Sequence, residues 1–453
     1  MTDPATDAAV KELEDLLARR RAVLRDSAAV LARLEAIRNS NSWRLLELYR
    51  RTRIRLGFTG GSATALQAMV RATRRSRRVP AFVREAPPGV NVSGYLDTES
   101  GMGEAARASI RSIQAAGLPV ALNNVPSRLR AQDRSHAGAF VTGNPHPFNL
   151  VHLNADNMGW FAASRGRRYF RNRYTIGFWF WELSTFRHEW LPFFGYVDEV
   201  WVATEFVRAS IQASTSLPVV RMPLPIVLPP APALSRAHFG LPATAAMFLY
   251  AFDVSSQTER KFPLAALRAF RRAGLGRDQA VLVLKFTNAG YDRDAVRRLH
   301  EEAAGLNVIM LDGYMDRSEL TGLLHTADCY LSPHRAEGFG LTLLEAMSLG
   351  KPVVATNYSG NVDFMTARNS YPIDYRLVTL TRDYGPYMRG AEWADPDLDQ
   401  MGAVIRHVVE HPDEARARGA QASADVAREW SPVVTGARVR NRLETVRQGR
   451  TAL

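Results

Sequence analysis

Cysteine is nearly absent from this sequence, because Cys329 is the only one among 453 residues. A single cysteine excludes an intrachain disulfide, and its apolar neighbours predict a small buried side chain rather than a nucleophile. No apolar run approaches the roughly 20 residues that a membrane-spanning helix needs. The first 40 residues lack the apolar centre and the small-residue cleavage site of a signal peptide. These absences lead us to expect a cytoplasmic protein.

Proline and glycine are absent between residues 5 and 56. Over residues 8–38 of this stretch, apolar residues recur near a seven-residue period, which is typical of a long helix that self-associates as a short coiled coil. Arg20 and Ser27 interrupt the apolar seam, so the pattern leaves the oligomeric state open. We predict that residues 1–40 are a helical extension.

Acidic residues are scarce in the segment 41–85, which holds eleven arginines and two glutamates in a chain of net charge +13. Such a segment is compatible with an anionic membrane surface, with a solvated stretch that has no partner, or with nucleic acid. Trp43, Tyr49 and Phe58 interleave with the arginines, which favours an amphipathic helix at a membrane interface. We therefore expect residues 41–88 to be a basic linker that binds the inner face of a membrane peripherally, with no nucleic-acid partner.

Beyond the linker, apolar runs alternate with helical patterns, which is typical of parallel sheets covered by helices on both faces. Five prolines between residues 223 and 232 interrupt the alternation, which then restarts. The fold class is therefore α/β, with two doubly wound domains facing a cleft. The predicted strands are 90–94, 119–123, 148–154, 174–181, 199–203, 219–222, 247–252, 280–286, 308–311, 329–332 and 353–355. The predicted domains are 89–228 and 229–425, followed by a C-terminal helix at 426–453 that packs back on the first domain.

The segment 334–347 joins the predicted strand 329–332 to a helix. Gly338 and Gly340 allow a tight turn around Phe339. The amides of the next residues would then lie at a helix N-terminus, which suits a diphosphate. The predicted ligand-binding residues of the turn are Gly338, Phe339, Gly340, Leu341 and Thr342.

Two glutamates flank this turn. Glu337 precedes it and Glu345 lies one turn into the helix, so both carboxylates can face one pocket, with a sugar at one end and a ribose at the other. The segment 342–345 is also a capping box, in which Glu345 would satisfy the N-terminus of its own helix. Spacing alone leaves the two interpretations equally open.

The two glutamates, with Gly-Phe-Gly-Leu between them and Ala-Met after the second, resemble the signature of the retaining family-four (group 1) glycosyltransferases. The similarity continues through the segment 350–356 and Gly360-Asn361, and it covers roughly residues 90–430. It implies a GT-B fold in which Glu337 contacts the donor sugar and Glu345 holds the ribose. It also implies that the base is bound largely by backbone near Gly313 and Tyr314.

The resemblance extends to the segment 255–263. Arg260 and Lys261 occupy the position of the family's diphosphate-binding basic residues, which would neutralise the leaving group without a metal. Many members also have an arginine directly after the preceding strand, whereas this sequence has Asp253. Ser255 or Ser256 would then supply the missing phosphate contacts. With Glu337, the basic pair completes the predicted catalytic residues.

In the first domain, Gly101 and Gly103 lie at a strand-to-helix turn that resembles the family's loop facing the donor, although a lone Gly-x-Gly is also simple turn chemistry. Four weaker candidates follow two predicted strands on the acceptor side. Trp181 and its neighbour Trp179 would otherwise be core aromatics, and a lone histidine is more often structural. The predicted acceptor-side residues are His152, Asn154, Trp181 and Glu182.

No metal site is predicted. Asp-x-Asp pairs occur at 292–294, 395–397 and 397–399, but none ends an apolar strand, so they are interpreted as surface acids. Histidine and cysteine show no ligand spacing.

We therefore expect a glycosyltransferase, for example a mannosyltransferase-like hexosyltransferase, that uses a nucleotide sugar, no cofactor and a glycan or lipid-linked acceptor in cell-surface polysaccharide synthesis. Three alternatives remain. A sugar-nucleotide epimerase or phosphorylase would share the fold. A non-catalytic scaffold subunit of a glycan-assembly complex would recruit partners through residues 8–38. A nucleic-acid-binding protein would use the arginine run.

Overall fold

The computed structural model describes residues 79–127, 133, 135–136, 138–229 and 234–450. The predicted helix over 8–38 and the basic segment up to residue 78 lie outside the described residues. The stretch Arg77–Leu453 forms one compact unit. Among the described helices, none has the length and apolar composition needed to cross a bilayer.

The first sheet consists of short parallel strands whose residues are almost all buried, which is the pattern of a sheet covered on both faces. Its strands lie in the order β2-β1-β3-β4-β5-β6. Strand β1 has β2 on one side and β3 on the other, so the strand order reverses at β1. In a sheet of this kind a crevice forms at that point, beyond the carboxyl ends of the strands. The strands are β1 (Val90–Gly94), β2 (Val120–Asn124), β3 (Phe148–His152), β4 (Tyr174–Phe178), β5 (Glu199–Val202) and β6 (Val219–Arg221).

Helices connect these strands, and two of them begin at polar side-chain caps. Ser100 accepts a hydrogen bond from the Gly103 amide, and Thr204 accepts one from the Val207 amide, so each satisfies a donor at its helix N-terminus. The helices are α1 (Ala81–Glu85), α2 (Gly101–Ala115), α3 (Ala155–Arg165), α4 (Arg167–Phe170) and α5 (Glu205–Gln212), with a 3₁₀ segment at His188–Tyr196.

The second sheet repeats the same plan in the order β12-β11-β10-β7-β8-β9, again with parallel pairing. The strand order of this sheet reverses between β7 and β10, where Phe248 pairs with Cys329. Cys329 is fully buried, as predicted. The strands are β7 (Ala246–Asp253), β8 (Ala280–Thr287), β9 (Val308–Asp312), β10 (Cys329–Ser332), β11 (Val353–Thr356) and β12 (Tyr371–Ile373).

Helices again separate the strands, and three follow one another at the C-terminal end. Pro263, Pro412 and Pro432 each occupy a first helical turn, where the missing N–H costs nothing. The helices are α6 (Thr258–Lys261), α7 (Pro263–Ala273), α8 (Arg293–Glu302), α9 (Arg317–Thr326), α10 (Leu341–Ser348), α11 (Leu398–Glu410), α12 (Pro412–Glu429) and α13 (Pro432–Arg447). Short 3₁₀ segments lie at Arg236–Phe239, Val254–Ser256, Ala289–Tyr291 and Ser359–Asp363.

Ten of the eleven predicted strands agree with the observed ones to within two residues at each end, one prediction was wrong, and strand β12 was not predicted. Strand β4 ends at Phe178 rather than at Trp181, because the Phe180 amide leaves the ladder and donates to the Asn154 side chain at 2.9 Å. An antiparallel hairpin of β13 (Tyr375–Thr379) and β14 (Glu392–Pro396) was not predicted.

Helix α13 returns from the second sheet to the first. Its Thr435 hydroxyl lies 2.7 Å from that of Ser112 on α2, and Arg442 makes a bidentate ion pair with Glu199 at the start of β5. The two domains also meet directly, since the Thr204 hydroxyl donates to the carbonyl of Gly338 at 2.9 Å. These contacts join the two domains through α13 and through the segments that follow β5 and β10.

Candidate functional site

Two glutamates and two basic residues converge beyond the carboxyl ends of β7 and β10. Glu337 follows β10, and its carboxylate accepts from the ammonium of Lys261 and lies 3.3 Å from the guanidinium of Arg260. Both basic residues belong to α6, directly after β7. The segments 255–263 and 334–347 therefore form one site, because the topology places their strands side by side.

The charge state of Glu337 follows from its neighbours. Burial alone raises the pKa of its carboxyl, but Lys261 and Arg260 more than reverse this and hold that pKa at about 2. Burial lowers the pKa of Lys261, and Glu337 opposes this shift. The pair is therefore ionised because each partner supplies the charge that the other needs in a buried position.

The backbone around these side chains is unusually constrained. Gln257 and Phe262, on either side of α6, have φ angles of 69° and 53°, and Ser359 has a φ of 75°. Such left-handed conformations cost energy for residues other than glycine and persist only where the surroundings enforce them. The Ser359 hydroxyl accepts the Glu337 amide at 2.7 Å. The strained backbone therefore orients the residues that carry the charges.

Hydrogen-bonding capacity remains unused beside this ion pair. The guanidinium of Arg260 donates to the carbonyls of Ala336 and Ser256, but its Nε has no partner among the described residues. Lys261 carries three N–H donors, and Glu337 is its one hydrogen-bond partner there. An anionic ligand that reached the pair would find free donors.

The glycine turn before α10 is built as predicted. Gly340 has a φ of 90° and precedes the helix, and Leu344 is the first residue whose amide bonds back to the Gly340 carbonyl. The amides of residues 341–343 therefore point out of the helix end. A Cβ on Gly360 would lie 2.5 Å from the carbonyl oxygen of Gly338, so this neighbour must be glycine for the turn to fit.

Phe339 takes a different place from the one predicted. Its ring is buried between Phe364 and Trp430, so only its backbone faces the turn. Leu341 and Thr342 are partly buried at the helix start.

Glu345 does not cap its own helix, so the capping-box alternative is wrong. Helix α10 has no side-chain cap, and the Glu345 carboxylate accepts from Arg317 at 2.8 Å. Glu345 is buried, which raises the pKa of its carboxyl, and Arg317 opposes that rise. The two glutamates of the motif therefore lie in one site but have separate cationic partners.

The loop before α9 lies on the same side of the sheet. Gly313 has a φ of 121°, and its carbonyl accepts from the Lys285 ammonium. Tyr314 is 57% exposed, and its hydroxyl pairs with Glu99 of the first domain. The segment predicted to bind a base is thus open and borders the opposite domain.

The position that differs from the family has a structural role. Asp253, where many members have an arginine, accepts from the amide and the hydroxyl of Ser255 and from the Asn288 side chain, at 2.7–2.8 Å. The Ser255 hydroxyl is therefore engaged by Asp253, and Ser256 contacts Arg260 through its carbonyl. Neither serine side chain is shown free to meet a phosphate.

In the first domain, Gly101 is the first residue of α2, and nothing would obstruct a Cβ there. Gly103 is different, since a Cβ would lie 2.1 Å from the Thr98 carbonyl oxygen. The turn thus requires glycine only at Gly103, for close packing of the backbone.

The predicted acceptor-side residues lie at or just after the carboxyl ends of β3 and β4, and their side chains differ in availability. His152 is fully buried at the end of β3, stacks on Phe178, and has no hydrogen-bond partner for either ring nitrogen in the described part of the chain. Burial lowers its pKa to about 3, so its imidazole is neutral. Asn154 is occupied by the Phe180 amide.

Trp181 and Glu182 come after the end of β4. The indole of Trp181 is buried and donates to the Thr185 carbonyl at 2.9 Å, which makes it a packing residue rather than an exposed cleft wall. Trp179 is likewise buried. Glu182 accepts from the Tyr387 hydroxyl of the second domain at 3.0 Å.

The Asp-x-Asp pairs have structural partners. Asp292 and Asp397 cap the N-termini of α8 and α11. Asp395 was misinterpreted as a surface loop or helix acid, because it lies inside β14 and pairs with Arg335 at 3.1 Å. Within the described ranges no group of three or more acidic, histidine or cysteine side chains is arranged to hold a metal.

Two site residues were missed. His334 is buried, with Nδ1 3.0 Å from the Ser332 hydroxyl and Nε2 2.9 Å from the Asn361 side chain, so it joins β10 to the loop at 359–363. Its position at the start of the motif was a usable signal. Arg317 gave no signal, because its partners are distant in the chain.

Residues 252–370 match the family model described as glycosyl transferases group 1. This match contains both glutamates, the basic pair and the glycine turn. This part of the chain is therefore similar to the glycosyl transferases group 1 family.

Curated relatives match this chain only in part. It is 27% identical over 174 residues to a glycogen synthase of Mycobacterium tuberculosis, across 38% of this chain and 36% of the relative. It is 27% identical over 129 residues to a GDP-mannose-dependent phosphatidylinositol dimannoside mannosyltransferase of the same species, across 28% of each chain. The chain therefore spans about a third of the length of these relatives.

Solved structures match over a larger share. HepE from Anabaena, in complex with UDP and glucose, has a TM-score of 0.56 and 13% identity over 79% of this chain and all of that one. Sucrose-phosphate synthase from Thermosynechococcus elongatus has a TM-score of 0.57 and 14% identity over 80% and 99% of the two chains. At this identity the likeness concerns the fold, which is of the GT-B type.

Proposed function

We propose that this chain transfers a sugar from a nucleoside-diphosphate sugar to an acceptor in the cleft between its two sheets. The observation that carries the proposal is the convergence of Lys261, Arg260 and Glu337 at the point where the strand order of the second sheet reverses. A buried basic pair with unused donors suits a departing diphosphate, because fixed positive charges stabilise the negative charge that develops there.

The donor is expected to lie along α10 and the loop at 313–316. The outward amides at the start of α10 face the diphosphate. Glu345 accepts hydrogen bonds from the ribose hydroxyls, and Glu337 contacts the sugar. The base lies against the backbone of Gly313 and Tyr314. Both Gly101 and Gly103 belong to the loop that meets the donor from the first domain.

The proposed reaction retains the configuration of the anomeric carbon and uses no metal. The bond between the anomeric carbon and the diphosphate oxygen breaks, and the acceptor oxygen bonds to the same face of that carbon. The acceptor proton passes to the departing diphosphate oxygen, whose negative charge Arg260, Lys261 and the helix amides stabilise. Water is excluded by closure of the cleft.

The proposed acceptor is a glycan or a lipid-linked glycan in cell-surface polysaccharide synthesis, and the transferred sugar is a hexose such as mannose. His152, Asn154 and Glu182 are the acceptor-side residues of this proposal. The basic segment 41–85 would bring the enzyme to an anionic membrane surface, and residues 8–38 would mediate self-association. Only residues 79–85 of these segments are described, and 81–85 form α1.

The donor is tested by thermal unfolding with a panel of UDP, GDP, ADP and TDP and their hexose derivatives. The true donor stabilises the protein by about 2.7 kcal/mol when its concentration is 100 times its dissociation constant. Incubation of that donor with candidate acceptors then gives a glycosylated product, with retained configuration by NMR.

The variant Glu345→Ala should lose the donor-induced shift and the transfer. A matched control is Glu301→Ala, whose exposed carboxylate on α8 pairs only with Arg297 among the described residues. The proposal is contradicted if no nucleotide sugar raises the unfolding temperature, or if Glu345→Ala keeps the response of the wild type.

A further inference from the structure

Arg317 is the first residue of α9 and lies between the two domains. It follows the loop at 313–316, and Asp316 caps the helix by accepting the Glu319 amide at 2.8 Å. The Arg317 side chain is 25% exposed. A capped helix start thus holds a largely buried guanidinium at the cleft.

The guanidinium contacts one carboxylate from each domain. Its NH2 atom lies 2.8 Å from Oε1 of Glu345 on α10 and 3.4 Å from Oε1 of Glu104 on α2. The side chains of Glu345 and Glu104 are 4% and 6% exposed, so neither charge is well solvated. One cation therefore serves two buried anions on opposite sides of the cleft.

Glu104 is itself held in place. Arg107 donates to it at 3.2 Å, and Arg111 also pairs with it. The guanidinium of Arg107 further contacts the carbonyls of Leu96 and Thr98 and the carboxylate of Asp133. The first domain consequently presents Glu104 to Arg317 as a fixed partner.

We propose that Arg317 is a positioning residue that orients the Glu345 carboxylate for the donor ribose and ties this orientation to Glu104 of the first domain. The inference rests on the proposed function, in which Glu345 binds the ribose. It adds that the ribose site in the second domain is complete only when the first domain has brought Glu104 into place.

The electrostatics at Glu345 agree with this geometry. Burial raises the pKa of its carboxyl, Arg317 lowers it, Glu104 raises it and Arg111 lowers it. The Tyr330 hydroxyl on β10 also interacts electrostatically with Glu345. Since Arg317 is the nearest cation, its loss raises the pKa of Glu345 further, and the carboxylate is then protonated at a higher pH.

The test is calorimetric titration with the free nucleoside diphosphate of the donor that stabilises the wild type most. In Arg317→Gln we expect affinity to fall by about tenfold near pH 8, which corresponds to about 1.4 kcal/mol. A carboxylate accepts two ribose hydroxyls only when ionised, so the ratio of wild-type to variant affinity grows as the pH falls towards about 6, while the titration of the ligand cancels in the ratio. A variant with purely structural damage would show a constant ratio.

Arg317→Lys should restore part of the affinity and the wild-type pH dependence, because the charge returns without the planar fork. Glu104→Gln should weaken binding by about threefold, and the double variant should bind like Arg317→Gln alone, because the two residues act through one contact. Arg297→Gln, an exposed arginine on α8, is the matched control and should bind like the wild type.

The inference is overturned if Arg317→Gln binds the nucleotide as tightly as the wild type, or if its loss of affinity is the same at every pH. Additive effects of Glu104→Gln and Arg317→Gln would overturn the link to the first domain. These outcomes differ from failure of the proposed function, in which wild-type protein itself binds no nucleotide or does so independently of Glu345.

Discussion

Two glutamates with little solvent exposure, Glu199 and Glu337, each pair with arginine, yet their surroundings differ. Glu199 is fully buried and accepts from Tyr174, Trp201 and both branches of Arg442, at 2.6–2.9 Å. Its acceptors are occupied by groups from two strands and from α13. The cluster joins the C-terminal helix to the first sheet.

Glu337 meets two basic residues that retain unused donors, and it follows the carboxyl end of β10, where the proposed ligand site lies. The backbone beside it is strained, whereas Glu199 lies in a regular strand. The contrast teaches that burial and ion pairing alone do not mark a functional site. Unsatisfied donors at the carboxyl edge, on a backbone held in costly conformations, are what separate the two.

The largest effect is expected from Lys261→Ala. Loss of this ammonium should reduce turnover of the donor by about 100- to 1000-fold, the range seen when one group stabilising developing negative charge is removed. Release of nucleoside diphosphate measures it. Lys351→Ala is the control, because its ammonium bonds the His325 carbonyl at the other edge of the sheet. If Lys261→Ala and Lys351→Ala lost turnover equally, the functional role inferred for the Glu337 cluster would be contradicted.

The structural role of the Glu199 cluster is tested by Glu199→Gln. The change leaves the Arg442 charge buried without a counter-ion, and we expect the free energy of unfolding to fall by about 3 kcal/mol. Urea unfolding measures this, with Glu301→Gln as an exposed control. Added nucleotide should stabilise Glu199→Gln no more than it stabilises the wild type, because this cluster does not bind the ligand. A Glu199→Gln protein as stable as the wild type would show that this cluster is not the clamp we infer.

A smaller effect is expected from the backbone beside Glu337. In Gly360→Ala the new methyl group would lie 2.5 Å from the Gly338 carbonyl oxygen, so unfolding free energy should fall by about 2 kcal/mol as the turn shifts. Donor affinity should fall with it, because the Gly360 amide bonds the Glu337 carbonyl at 2.8 Å. Gly290→Ala, which meets nothing within 4 Å, is the control. If Gly360→Ala lost stability but kept the donor affinity of the wild type, the turn would not contribute to donor binding.

A further effect concerns acid. The pKa of Glu337 is about 2 in the folded protein, whereas the ordinary pKa of a glutamate carboxyl is 4.5. Its pairing therefore contributes stability above about pH 4.5 that is lost as the pH falls towards 2. In Glu337→Gln, the free energy of unfolding should fall less steeply between these limits, as measured by urea unfolding at each pH. Parallel curves for the two proteins would show that Glu337 is not ionised by its basic neighbours.

Much of the fold was predictable because its signals are local. Buried parallel strands appear as short apolar runs, and α7 begins at Pro263 and ends before Gly274, which are start and stop signals that depend on neighbouring residues. The motif around Glu337 and Glu345 was also recognisable, since its glycines and carboxylates lie within one strand-turn-helix unit. The hairpin β13–β14 was missed because its outer residues are exposed and give no apolar alternation.

The sequence by itself determined the α/β alternation, the restart after the prolines and the group of residues that belongs to the nucleotide-sugar signature, because each depends on neighbours along the chain. Only the tertiary structure decided which partner each residue has. It placed Arg317, not the helix terminus, on Glu345, turned Phe339 into the core, and gave Asp253 a loop-holding role. These outcomes depend on contacts between distant segments, and such contacts leave no periodicity in the sequence.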